Sequence, residues 1–186
     1  MSAESMTCKK LIIISGPDRV GKSTLTQRLK KEHGFIAAHF CEPDYSRPGD
    51  IFSRYEPCFP NEGESVVWDR SYLCGHILEV FRESVDNYLP LVLQMEYQLY
   101  KEGVDVFHLG IALPWQNVAH RHLQEIEKEY SDIQDWAVAR LLTQRMKEHR
   151  YYTEKMIEFY QHTTIFPAQL LTSNEEIQEF NLEFLG

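Results

Sequence analysis

The chain has 186 residues, with 19 Lys and Arg against 28 Asp and Glu and a formal charge of −9 at pH 7. That length supports one hydrophobic core, so a single domain over residues 1–186 is expected, and the acidic balance argues against a broad grip on a nucleic-acid duplex. The four cysteines form no Cys-x-x-Cys pair, and no apolar run approaches the about 18 residues that cross a bilayer, so the expectation is a soluble cytoplasmic chain with neither zinc nor a membrane partner.

The first element is the apolar run Leu11 to Ile14, which has the length and branching of a central strand buried on both faces in a parallel sheet. It runs into Gly16-Pro17-Asp18-Arg19-Val20-Gly21-Lys22-Ser23-Thr24, which fits G-x-x-x-x-G-K-[ST]. In such a loop, backbone N–H groups wrap a phosphate chain, Lys22 reaches the β and γ phosphates, and Ser23 offers a hydroxyl to magnesium. A helix beginning near Lys22, with Leu25 and Leu29 four apart, points its N-terminal dipole at the anion. Two charges inside the loop need explaining. Asp18 would repel a polyphosphate unless it is paired or turned toward an acceptor, and Arg19 could lie along the γ phosphate as a built-in cation.

A second short strand, Phe35 to Pro43, carries Glu42 at its end, where a carboxylate could accept a proton from an attacking hydroxyl or bind an acceptor cation. Residues 44–63 then form a long connection rich in Pro, Gly and aromatics. Loops of that size often bind a ligand, so Arg47, Phe52, Arg54 and Tyr55 are candidates to hold a flat, phosphorylated acceptor. The third strand, Ser65 to Trp68, ends at Asp69-Arg70, where Asp69 can face the metal and Arg70 the acceptor's phosphate. Tyr72 and Phe81 follow as further stacking candidates.

Helical patterns cover 72–84, 88–102, 114–128 and about 133–161, with a fourth strand at Val104 to Leu113 and a fifth in TTIFPAQLL that Pro167 demotes to an edge. Alternation of this kind predicts a three-layer α/β/α sandwich around a five-stranded parallel sheet, with ligands at the carboxyl ends of the strands. The apolar faces of helices 72–84 and 88–102 could be covered within the subunit or by a second copy in a homodimer.

Taken together, GPDRVGKST, CEPDYSR and WDRSY resemble the thymidylate kinases, a P-loop nucleoside monophosphate kinase family. The resemblance implies magnesium ATP as donor and a pyrimidine deoxynucleoside monophosphate as acceptor, dTMP being converted to dTDP. It also implies roles: Asp18 near the acceptor sugar, Arg19 on the transferring group, Arg70 on the acceptor phosphate, Asp69 near magnesium, and a flexible lid around residues 121–132. Cys41 stands where that family has an arginine, and WDRSY also partly resembles the E-R-S motif of deoxynucleoside kinases. The alternatives are therefore a deoxynucleoside kinase, in which Glu42 acts as base, a kinase of a hydroxymethylated base or end in DNA, and a nucleotide-binding regulator without turnover.

Overall fold

The computed structural model describes residues 8–40, 55–81, 89–130 and 134–180. Five parallel strands, β1 (Lys9–Ser15), β2 (Ile36–His39), β3 (Ser65–Asp69), β4 (Val104–Ile111) and β5 (Ala168–Leu171), form one sheet in the order β2-β3-β1-β4-β5. Between and after them come α1 (Lys22–His33), α2 (Tyr72–Phe81), α3 (Leu89–Lys101), α4 (Trp115–Glu129), α5 (Asp135–His162) and α6 (Asn174–Glu179). The expected α/β/α architecture is observed, with β1 central and β5 at an edge. Pro167 immediately precedes β5, where its missing N–H breaks no ladder bond and its carbonyl accepts from His108 N at 2.9 Å.

The apolar run of β1 splits by parity, as the two-residue period of a strand requires. Leu11 and Ile13 join one core with α2, α3 and α5, while Ile12 and Ile14 join the other with α1 and α4. On the first face, α5 approaches β4 so closely that a Cβ at Gly110 would meet Tyr160 at 2.6 Å and Leu170 at 2.7 Å.

The described part of the long connection packs inward. Tyr55 is 1% exposed, and its ring lies 4.4 Å from Phe40 and 5.2 Å from Trp68, centroid to centroid. Trp68 Nε1 donates to the Cys58 carbonyl at 3.2 Å, which fixes the turn Glu56–Cys58 over the sheet. Tyr55 is thus a core residue rather than a stacking platform for a base, because an aromatic cluster buries more apolar surface than a solvated loop would. Phe81 likewise packs on Tyr151, 5.1 Å between ring centroids.

Candidate active site

Gly16 to Ser23 joins β1 to α1 at the carboxyl edge of the sheet, and Asp69-Arg70 leaves the adjacent β3 at the same edge. Sequence places these segments 46 residues apart; the parallel pairing Ile14↔Asp69 brings them into contact. Ser23 Oγ donates to Asp69 Oδ2 at 2.6 Å, and His39 Nδ1, from the end of β2, lies 3.0 Å from the same oxygen. Asp69 is 2% exposed, and its second oxygen, Oδ1, has no hydrogen-bond partner among the described residues. A hydroxyl beside a buried carboxylate with a spare oxygen suits a hard divalent cation that also takes phosphate oxygens and water. Ser23 and Asp69 thus fit magnesium.

Lys22 is buried and folds back on the loop, its Nζ donating to the carbonyls of Gly16 at 2.8 Å and Pro17 at 2.6 Å. Burial pulls its pKa below the ordinary lysine value, against the opposing pull of Asp18 and Asp69. A phosphate at the loop would supply the missing negative charge. Gly21, at φ 102°, caps α1 in a backbone region that excludes most side chains, which is the local reason a glycine precedes the lysine. At Gly16 the reason is contact: a Cβ would lie 2.7 Å from the Ile111 carbonyl.

Both loop charges are paired. The Arg70 guanidinium donates to Asp18 Oδ1 at 3.0 Å, and Lys22 Nζ lies 3.9 Å from the same oxygen. Burial would raise the Asp18 carboxyl, but Lys22, Arg70, Arg145 and His122 together hold it below its ordinary value. Arg19 forms an ion pair with Glu125 of α4, while Arg121 donates to the Arg19 carbonyl at 2.7 Å. Arg19 and Arg70 are the two described non-glycine residues with positive φ, 66° and 72°, each a conformation that costs about 1–3 kcal/mol and concentrates at working sites.

The loop stands between two concavities. A cleft of about 610 Å³ runs over Val20, Ser23 and Thr24 to Arg121 and Glu125 and is closed on its far side by Asn174, Ile177 and Gln178 around α6. A smaller cavity lies across Lys22 and Asp18, under α2, α4 and α5, where Cys74, His122, Arg145 and His149 face it. Asp18, Lys22 and Arg70 line both.

Outside the expected lid region, which includes Arg121, His122 and Glu125, sequence reasoning had no signal for the helical residues of either concavity. Arg145 and His149 sit in a pattern that reads as a solvated helix face, and Asn174 to Gln178 in a C-terminal stretch with a Ser173–Glu176 capping box and nothing else to mark it. The expected lid region is helical over Arg121 to Glu129, with Arg121 and Glu125 turned onto the phosphate loop. Tyr72, expected at the acceptor, is instead 4% exposed in the core, its hydroxyl donating to Glu96 at 3.4 Å. The reason is packing: the Tyr72 ring sits edge-on to Tyr55 at 5.9 Å and to Trp68 at 6.5 Å, where it buries apolar surface in the aromatic cluster. Glu42, Arg47, Phe52 and Arg54 lie outside the described residues.

No protein-family model matches the chain. The ADP-polyphosphate phosphotransferase 2 of Rhizobium meliloti (strain 1021) is 25% identical over 180 residues, covering 90% of this chain and 58% of that protein. The chain therefore spans little more than half the length of that relative. Among solved structures, a polyphosphate kinase 2 from Arthrobacter aurescens TC1 superposes with a TM-score of 0.70 at 16% identity, covering 93% of this chain and 64% of that one. A deoxyadenosine kinase from M. mycoides with bound dCTP superposes with a TM-score of 0.51 at 15% identity, covering 94% and 98%. These likenesses are to a phosphotransferase and to two kinases. They bear out a phosphate-transferring enzyme and do not single out a thymidylate kinase.

Proposed function

We propose that the chain is a phosphotransferase that passes a phosphoryl group between inorganic polyphosphate and a nucleotide. The observation that carries this reading is the single cationic loop shared by two concavities, Lys22 and Arg70 bordering both. The likeness to an ADP-polyphosphate phosphotransferase supports polyphosphate as one of the two. Conversion of dTMP to dTDP gives way to it as the leading assignment.

In this mechanism the chain performs no covalent chemistry. The bond between the terminal phosphorus and its bridging oxygen breaks as a terminal phosphate oxygen of the acceptor bonds to that phosphorus; the displaced oxygen keeps the electron pair, and no net proton moves. Both partners are phosphates, so no general base is required, and the work is placement of positive charge. The loop amides and Lys22 hold the donor's end, and Arg70, in its left-handed conformation beside Lys22, meets the charge that spreads over the transferring group. Magnesium held by Ser23 and Asp69 would supply further neutralisation of phosphate oxygens.

The test is ATP formation from polyphosphate and ADP, read by luciferase, beside a panel in which ATP is offered to nucleosides and nucleoside monophosphates. Transfer from polyphosphate is expected, and Lys22→Ala should lower it by at least about 100-fold, the scale of losing one oriented transition-state donor. Phosphorylation of unphosphorylated nucleosides alone would reassign the chain as a nucleoside kinase with Glu42 as base.

A further inference from the structure

The cavity under α2, α4 and α5 contains a side chain that the fold leaves unsatisfied. His122 is 2% exposed, faces this space, and has no hydrogen-bond partner at either ring nitrogen among the described residues. Its ring is held flat by Trp115, stacked at 5.1 Å and 23°. A buried imidazole with two unused nitrogens is costly unless something else completes it, at about 1–3 kcal/mol for each polar group left without a partner. Around it stand Lys22, Arg70 and Arg145, with Asp18 and Glu148 as the acids, so the lining has one more cation than carboxylates.

The cavity volume is about 20 Å³, enough for one water molecule and too little for a phosphate. The Asp18 carboxylate already lies against two of these cations, 3.0 Å from Arg70 and 3.9 Å from Lys22. Asp18 is itself on a loop and part-exposed, with 42% of its side chain open to solvent, so it can turn outward without disturbing the core.

We propose that this cavity is the seat for the terminal phosphate of the second substrate, held by Arg70, Arg145 and His122, and that the Asp18 carboxylate fills the seat until that phosphate displaces it. The proposal rests on the phosphotransfer reading only for the identity of the ligand, a terminal phosphate group. The group can arrive on a nucleoside diphosphate or on an inorganic chain. His122 and Arg145 are then binding residues supplied by helices α4 and α5, and the anionic loop residue is a placeholder whose departure couples arrival of the acceptor to rearrangement of the loop beside Lys22.

The experiment follows the ring nitrogens of His122 by 15N NMR, assigned through His122→Asn, during separate titrations with inorganic tripolyphosphate and with ADP. Movement of the His122 signals by at least one probe is expected, and the probe that moves them identifies which chain carries the phosphate. Arg145→Gln should weaken that response at least tenfold, and Asp18→Ala, which removes the placeholder, should strengthen it. If neither probe moves the His122 signals at saturation, or if folded Arg145→Gln responds within twofold of the unaltered protein, the seat is refuted. Weaker binding by Asp18→Ala refutes the placeholder. Because no turnover is read, a protein that shows these shifts yet transfers nothing from polyphosphate would overturn the function proposed above and leave the seat standing.

Discussion

At His122 the tertiary environment changes what an imidazole can do. Burial, with Arg145 nearby, lowers its pKa from 6.5 to about 4, and burial also lowers those of His76 and His149. All three groups bind protons more readily in the unfolded chain than in the folded one. Their contribution to stability is therefore complete above the ordinary histidine pKa of 6.5 and is lost as the pH falls toward about 4, the lowered value for His122. Urea-unfolding midpoints measured between pH 7 and 4.5 should fall on acidification, with a shallower fall for His122→Asn. A midpoint independent of pH across that window would show that these rings are solvated in the folded protein. Lys22 follows the same logic with a different outcome: its ammonium is destabilised by burial, and a phosphate at the loop restores what burial removes.

Among the secondary-structure elements, one buried carboxylate joins pieces that sequence keeps far apart. Glu96 on α3 is fully buried and accepts from His108 Nε2 on β4 at 2.8 Å, Thr164 Oγ1 at 2.9 Å and the Ile165 backbone N–H at 2.9 Å. The Tyr72 hydroxyl, two residues beyond Arg70, reaches the same carboxylate. This network ties the chain that enters β5 to the helix that leaves the site, so it positions rather than binds. Glu96→Ala leaves several buried donors without an acceptor and should lower unfolding free energy by about 3–5 kcal/mol, the range for breaking one partner out of a buried set. Chemical denaturation measures it, and a loss below about 1 kcal/mol would mean that the interior admits water there. A smaller tie fixes α6 beside the phosphate cleft, where Arg28 on α1 donates to the Gln178 carbonyl at 2.7 Å and the Phe180 carbonyl at 3.1 Å.

For the molecule as a whole, a net charge of −9 opposes the approach of a polyanion, while among the described residues Lys22, Arg70 and Arg145 gather cations at one cavity. The two effects act over different distances. Long-range repulsion is screened within about 8–10 Å at physiological salt, whereas contact pairs in a partly buried site are screened far less. The kcat/KM for polyphosphate should therefore hold or rise as salt increases from about 0.01 to 0.1 M. A steep fall would place a basic track for the polymer on the outer surface.

The phosphate loop, the central place of the strand before it and the placement of Asp69 and Arg70 at a strand end were legible from local patterns, because a glycine-bounded loop between an apolar strand and a helix has few ways to fold. The same residues left the chemistry open between several phosphate acceptors. Arg145, Asn174 and Gln178 carry no local signature, and the inward turn of Tyr72 depends on packing against Tyr55 and Trp68 that chain spacing alone does not reveal. Periodicity specifies which face of an element is apolar. Which polar side chains from separate elements converge on one cavity is decided only when those faces pack, since that packing sets the distances on which every charge interaction in the site depends.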